Sequence, residues 1–141
     1  MMREIPDVIY RYAAGLKAHD VERIAGTVGE ELRFVARGNQ FGKAQFLEFL
    51  GALYTAFPDW QYDHDPPCWS HQMIAIRWRQ SGTHSDPFVL PGRPIVAATG
   101  RRVVIPPQFF RYQINADKII RIAPDDIAGG APAGILDQIS Q

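Results

Sequence analysis

Two adjacent aspartates and one histidine are the side chains of this sequence best suited to acid–base chemistry. Asp125 and Asp126 follow an apolar run, where mutual repulsion and apolar surroundings would raise the pKa of one carboxyl and make it a general acid or base. His84 ends a predicted strand, where its imidazole could act as an acid, a base or an orienting donor. The same residues also fit plainer roles, since the aspartates could close a solvated turn and the histidine could bond to nearby backbone.

Aromatic side chains supply further candidates. Tyr12 lies on the apolar stripe of the first predicted helix, so its ring would reach the core and its hydroxyl would need a partner in a ligand or in the protein. Aromatic residues at strand spacing could line a cavity for a flat apolar ligand, and they equally form plain core or a subunit interface. On the predicted strands these are Trp60, Trp69, Trp78, Phe109, Phe110 and Tyr112.

Other kinds of site find little support. His64, Cys68 and His71 are close in sequence, but a strand would turn His71 away from the other two, and we expect no metal site. Asp63 and Asp65 flank His64 at what is predicted to be an exposed corner. The sequence has neither a nucleophile elbow nor a phosphate-binding glycine pattern, so we expect no covalent catalysis and no nucleotide cofactor.

The composition is that of an ordinary globular chain. Its 141 residues suit a single domain, 1–141, and 46% of them are hydrophobic. Fifteen basic and fifteen acidic residues cancel, which argues against a nucleic-acid partner because such proteins need a net basic face. The single cysteine, the charged first residues and the lack of a membrane-length apolar segment predict a cytoplasmic protein with no membrane partner.

The elements that would position these residues fall into helices followed by strands. Helical periodicity predicts a helix over Ile5–Leu16, a short one capped by Asp20 that carries Val21, Ile24 and Val28, and a third that begins at Lys43 and is stopped by Pro58. Predicted strands are Leu32–Ala36 before a Gly38-Asn39 turn, Trp60–Trp69 interrupted at Pro66-Pro67, Met73–His84, Val103–Ile114 and Lys118–Ala123, with a long loop or ragged hairpin over Ser85–Arg102. This order is typical of an α+β domain in which a curved, mostly antiparallel sheet packs on N-terminal helices and leaves a cone-shaped hollow.

Several segments, in the expected order between residues 11 and 139, resemble motifs of the SnoaL-like polyketide cyclase family within the nuclear transport factor 2-like superfamily. They are Arg11–Asp20, Ala56-Phe57-Pro58-Asp59-Trp60 ("FPD"), Gly82-Thr83-His84 with Phe88 ("GTHxGxF"), Thr99-Gly100-Arg101 ("TGR"), Asp117-Lys118-Ile119 ("GKI") and Gly134–Ile139 ("GLLxQLG"). The ordered set is specific for the cone-shaped α+β barrel. It is less specific for activity, because the superfamily contains several kinds of enzyme and binding modules.

The resemblance implies a cofactor-independent enzyme that cyclises or isomerises a hydrophobic carbonyl compound. The family's cyclases carry an aspartate after the "GKI" strand, which points to Asp125 or Asp126 as the catalytic carboxylate; His84 and Tyr12 would then be donors. Tyr12 also matches the tyrosine of ketosteroid isomerases, but Leu32–Ala36 lacks their carboxylate, which argues against that reaction. The resemblance further implies a homodimer. The expected substrate-binding residues are Trp60, Trp78, Phe110 and Arg111.

Two other functions remain open from the sequence. A non-catalytic binding or accessory module would keep the hollow for a hydrophobic small molecule and lack the chemistry. A hydrolase or dehydratase would use a carboxylate–arginine pair, for which Asp126 with Arg111 is the candidate. An aspartate that faces an open apolar cavity would favour an enzyme.

Overall fold

The computed structural model describes residues 3–140 and contains the three predicted helices together with a short C-terminal one. They are α1 (Asp7–Lys17), α2 (Val21–Ala25), α3 (Lys43–Ala56) and α4 (Ala133–Ile139). Ile9, Tyr12 and Leu16 are buried, as the apolar stripe of α1 predicts. The Asp20 carboxylate accepts a hydrogen bond from the Arg23 backbone N–H at 3.1 Å and so caps α2, again as predicted. None of the described helices is long and apolar enough to cross a membrane.

The strands of residues 3–140 form one sheet in the order β2-β1-β7-β6-β5-β3, with β4 paired to β5. They are β1 (Val28–Ala36), β2 (Asn39–Phe41), β3 (Gln61–His64), β4 (Cys68–Ser70), β5 (Met73–Thr83), β6 (Arg102–Asn115) and β7 (Lys118–Pro124). All pairs are antiparallel except β1 with β7. The helices pack on one face of this curved, open sheet, and the predicted α+β fold class is confirmed.

Alternation along the two longest strands separates the two faces of the sheet. The concave face carries buried Ile76 and Trp78 of β5 and buried Tyr112 of β6. The convex face carries Arg77, which lies between Ile76 and Trp78 on β5, and Arg111, which precedes Tyr112 on β6. The pairing of β5 with β6 shifts register opposite two prolines of β6, and a bulge of this kind bends the strands around the helices.

Two boundaries differ from the sequence predictions. Val28 opens β1 and does not belong to α2, because it pairs with Ile119 in the parallel ladder. The hairpin turn between β1 and β2 consists of Arg37 and Gly38, one residue before the predicted turn at Gly38-Asn39, since Asn39 is already paired. Both errors arise because pairing with a distant strand decides the boundary, and local residue preferences do not contain that information.

The segments around the third and fifth strands follow the predictions more closely. The interruption at Pro66-Pro67 divides the strand predicted over Trp60–Trp69 into β3 and β4, both of which pair with β5. The predicted long loop contains one bridge, between Phe88 and Val96. Phe88 is buried with its ring centroid 6.1 Å from that of Phe49 in α3. This contact fixes the loop beside the helix.

Candidate functional site

An open cavity of about 530 Å³ lies among the β1–β2 hairpin, α3, the 84–101 loop and the segment before α4. Its apolar lining includes Phe34, Phe41, Phe46, Phe49, Leu90 and Leu136. We call its exposed end the mouth, which is formed by Arg37, Asn39, Glu48, Arg93, Asp126 and Asp137. The volume falls within the range of small-molecule binding sites.

A narrower recess of about 50 Å³ continues the cavity towards the core. The two spaces share lining residues, namely Phe34, Phe46, Phe49, Ala131 and Pro132. The inner recess is otherwise walled by side chains of α1, α3, β3, β5, β6 and α4, and most of them are apolar. Its hydroxyl and amide groups belong to Tyr12, Tyr62, Tyr112 and Gln80. The cavity therefore has a charged mouth, and the recess beside it is largely aromatic with a few hydrogen-bonding groups.

Two phenols from different elements meet in the inner recess. Tyr12 of α1 and Tyr112 of β6 pack edge to face with their ring centroids 5.4 Å apart. The indole N–H of Trp78 donates to the Tyr112 oxygen at 2.8 Å, which leaves the Tyr112 proton free to donate. Burial raises the pKa of both phenols, and the neighbouring Tyr112 raises that of Tyr12 further. Both hydroxyls stay protonated at neutral pH and can donate to a ligand oxygen.

The remaining polar groups of the recess are held by neighbours. The Gln80 side-chain oxygen accepts a hydrogen bond from Trp60 Nε1 at 3.3 Å, and the Tyr62 hydroxyl bonds to that of Tyr54 at 2.7 Å. Of the expected substrate-binding residues, Trp78 and Phe110 line the recess. Trp60 lies behind Gln80 as its support.

Asp125 turns its carboxylate to the convex face of the sheet. Its backbone N–H donates to Phe109 O, which extends the β6–β7 ladder by one residue and places the side chain beside Arg111. Arg111 Nε and Nη2 donate to the two Asp125 oxygens at 3.1 and 3.4 Å, and Nη1 donates to Ser70 Oγ at 3.1 Å. The structure therefore places Arg111 away from the cavity. The expected pair of Asp126 with Arg111 is wrong, because the strand register gives Arg111 to Asp125.

Asp126, one residue further on, lies at the mouth of the cavity. Its carboxylate accepts a hydrogen bond from Arg37 Nε at 3.0 Å, and its side chain is 68% exposed. Arg37 comes from the β1–β2 turn, so this ion pair links the hairpin to the segment before α4. Both aspartates are among the lining residues of the cavity, but the Asp125 carboxylate is bound by Arg111 on the convex face, so Asp126 supplies the carboxylate at the mouth.

His84 is fully buried outside the lining of both the cavity and its recess. Its Nδ1 accepts a hydrogen bond from the Thr99 backbone N–H at 3.3 Å and lies 2.9 Å from the Thr99 hydroxyl. The ring stacks on Phe57, with centroids 5.2 Å apart, and burial lowers its pKa. The structure does not bring His84 to Tyr12 or Asp126. Instead, the His84 side chain links the end of β5 to Thr99 near the end of the 84–101 loop.

The positions where a metal was considered show no cluster. Among residues 3–140, no group of three or more His, Cys, Asp or Glu side chains is arranged to hold a metal ion. The His64 ring lies against Trp78, with centroids 4.7 Å apart, and its Nδ1 is 2.7 Å from the Asp65 carbonyl oxygen. Cys68 is exposed on β4.

Three residues of the site were not singled out from the sequence. Gln108 is 2% exposed, and its amide bonds to the backbone of Asp125 and Ala131, which holds the segment before α4 against β6. Gln80 and Gln108 occupy concave-face positions of predicted strands, where a polar residue among apolar neighbours signals a buried hydrogen-bonding role. Arg37 gave no such signal, because its partner lies 89 positions away.

Comparison with known proteins identifies the family of this chain. The family model for the SnoaL-like domain matches residues 9–122. No curated protein sequence matches the chain significantly.

Solved structures with the same fold span nearly the whole chain. AclR from Streptomyces galilaeus, described as a candidate hydroxylase, is 17% identical with a TM-score of 0.72, over 94% of this chain and 92% of its own. A candidate SnoaL-like polyketide cyclase from Jannaschia sp. CCS1 is 16% identical with a TM-score of 0.70, over 99% and 97%. An NTF2-like protein of unknown function from Exiguobacterium sp. 255-15 is 21% identical with a TM-score of 0.66, over 85% and 99%. The motif order, the fold and the family match agree: the chain belongs to the SnoaL-like domain family.

Proposed function

We propose that this protein is an acid–base enzyme of the cyclase or isomerase kind that acts on a hydrophobic carbonyl compound. One observation carries the proposal. An apolar cavity whose mouth holds the Asp126 carboxylate shares lining residues with a recess where the Tyr12 and Tyr112 hydroxyls can donate hydrogen bonds. Enolate chemistry requires these two kinds of group, a base that removes a proton and hydrogen-bond donors to the enolate oxygen.

The proposed reaction begins at a carbon next to a carbonyl group. Asp126 takes a proton from that carbon, and the electron pair of the broken C–H bond moves into an enolate whose oxygen accepts hydrogen bonds from Tyr12 and Tyr112. In a cyclisation the enolate carbon then forms a bond to a second carbonyl carbon, the electron pair of that C=O π bond moves to its oxygen, and the oxygen takes the proton from Asp126. In an isomerisation Asp126 returns the proton to another carbon of the enolate. Both outcomes return the proton without a net redox change, so the proposed chemistry uses no cofactor.

Family membership supports this class of reaction. The SnoaL-like fold is shared with the candidate polyketide cyclase from Jannaschia sp. CCS1, and a polyketide is a chain rich in carbonyl groups. The large share of aromatic side chains in the lining suits a flat or conjugated substrate.

A non-catalytic binding module is the second candidate, and a specific observation favours it. Among residues 3–140, the lining of the inner recess contains no carboxylate and no imidazole, and Asp126 is mostly exposed and already paired with Arg37. A protein that only stores or presents a carbonyl compound would need the phenols and would not need Asp126 as a base.

Deuterium uptake separates the two candidates without knowledge of the natural substrate. 2-Tetralone is a flat ketone with exchangeable protons next to its carbonyl, and proton NMR in D₂O measures the loss of those protons. We expect the protein to accelerate the exchange above the buffer rate. Asp126→Asn should return it to that rate, and Tyr12→Phe should slow it by about 100-fold, the usual effect of removing one oxyanion donor.

Two variants serve as controls for the exchange experiment. Asp7→Asn removes a carboxylate that is likewise exposed and bonded to an arginine Nε, but lies on α1 outside the lining, and should leave the rate unchanged. Asp125→Asn should also leave it unchanged, because that carboxylate lies on the convex face. Binding of 2-tetralone without acceleration would support the binding module, whereas a loss of exchange in Asp125→Asn alone would assign the base to the other aspartate.

A further inference from the structure

The mouth of the cavity contains an arginine whose hydrogen-bonding capacity is largely unused. Arg37 donates from Nε to Asp126 at 3.0 Å, and among residues 3–140 its two terminal nitrogens have no hydrogen-bond partner. Its side chain is 50% exposed and lines the cavity. Because Asp126 holds the guanidinium at one edge, the other edge presents a fixed fork of N–H groups.

The backbone at Arg37 is held in an uncommon conformation. Arg37 has φ of 50° and Gly38 has φ of 78°, as a two-residue hairpin turn of type I′ requires. The first position of such a turn favours asparagine, aspartate or glycine, and an arginine there is strained. Left-handed non-glycine residues occur at functional sites, and of the five such residues among residues 3–140 Arg37 is the one that lines the cavity.

A second arginine lies on another wall of the mouth. Arg93, on the 84–101 loop, is exposed, lines the same cavity and has no ion pair within residues 3–140. Glu48 and Asp137 are also exposed at the mouth, so its net charge is not positive. An anion would therefore be recognised by local hydrogen bonds from an oriented guanidinium, and much less by the long-range field.

The geometry points to an anion subsite at the mouth: the ligand is a hydrophobic carbonyl compound that also carries a carboxylate, and Arg37 binds that carboxylate while the apolar body occupies the cavity. Asp126 orients Arg37 through the Nε hydrogen bond. This inference rests on the proposed function, because it names the class of compound that the same cavity takes.

A matched pair of fluorescent probes tests the subsite. 1-Pyrenebutanoate and its methyl ester share one flat apolar body and differ in the carboxylate, and both can be titrated into the protein by fluorescence. We expect the wild-type protein to bind the acid about 1.5- to 5-fold more tightly than the ester, the range expected for a half-exposed charged contact. Arg37→Gln should weaken binding of the acid to the level of the ester and leave the ester unaffected.

Arg11→Gln is the control for this substitution. Arg11 is 47% exposed and donates from Nε to Asp7 at 2.8 Å, so its local setting matches that of Arg37, but it lies on α1 outside the cavity lining. Its substitution should change neither affinity. Arg93→Gln reports whether the second arginine contributes, and a smaller loss than for Arg37→Gln is expected because nothing orients it.

The outcomes distinguish failure of the subsite from failure of the cavity. Equal affinity of the wild-type protein for acid and ester, or a loss of both on Arg37→Gln, would overturn the anion subsite and leave the cavity as a binding site. Failure of both probes to bind the wild-type protein would instead contradict the proposed function, on which the subsite depends. Circular dichroism of each variant shows whether the overall fold is retained.

Discussion

Replacing Gln108 by leucine should destabilise the protein by about 3 kcal/mol. The Gln108 amide nitrogen donates to Asp125 O at 2.8 Å and to Ala131 O at 3.2 Å, and its oxygen accepts from Ala131 N at 2.9 Å. Each of these hydrogen bonds contributes about 1 kcal/mol net, and leucine, of nearly equal size, leaves the backbone partners buried and unpaired. Because Ala131 and the following Pro132 line both the cavity and its recess, the substitution should also weaken ligand binding.

Urea unfolding followed by tryptophan fluorescence measures this effect. The midpoint should fall for Gln108→Leu while the dependence of the unfolding free energy on urea stays the same. Gln113→Leu is the control, since Gln113 lies on the same strand with an exposed side chain and should change stability by less than about 0.5 kcal/mol. A Gln108→Leu protein that is as stable as this control would refute the assignment of Gln108 as the residue that holds the segment before α4.

Two further predictions follow from buried or crowded groups, and a third concerns the oligomeric state. Burial lowers the pKa of His84 in the folded state, so the unfolded chain takes up the proton first as the pH falls. The contribution of His84 to stability should therefore be constant above about pH 6.5 and decrease below it. Urea unfolding at pH 7.5 and 5.5 measures this decrease, which His84→Gln should reduce. Gly82→Ala should destabilise the fold, because the added Cβ would lie 2.6 Å from Trp60 Cε3 and 3.1 Å from the Trp60 Cα. Gly51 lies in open space on α3, so Gly51→Ala should stabilise the protein by roughly 0.5–1 kcal/mol in thermal unfolding. The expected homodimer should have about twice the 15.9 kDa of one chain in size-exclusion chromatography with light scattering, and a mass of one chain at micromolar concentration would contradict it.

Much of the architecture could be predicted because it depends on patterns among residues that are close in sequence. The apolar periodicity of α1 and α3 and the alternation of Ile74, Ile76 and Trp78 are set by residues close in sequence. The carbonyl-facing role proposed for Tyr12 depends on the same pattern, since its place on the apolar stripe of α1 leads its ring to the recess.

The site could be predicted less well because it depends on long-range pairing. Asp125 and Asp126 face opposite sides of the sheet, and a strand shifted by one residue would exchange their positions. His84 was expected beside the cavity, yet its ring binds Thr99, fifteen residues later, at a place that only the folded loop defines. The pairing of Arg37 with Asp126 likewise exists only once β1 lies beside β7.

The central claim is that a ligand carbonyl accepts hydrogen bonds from the phenols of the inner recess. The ¹³C resonance of the carbonyl carbon of labelled 2-tetralone measures this directly, because hydrogen bonding to the oxygen moves it downfield. For the ketone bound to the wild-type protein we predict a resonance downfield of its position in an aprotic solvent, and an upfield return in Tyr12→Phe. A bound resonance at the aprotic position, or one that Tyr12→Phe leaves unchanged, would contradict the claim.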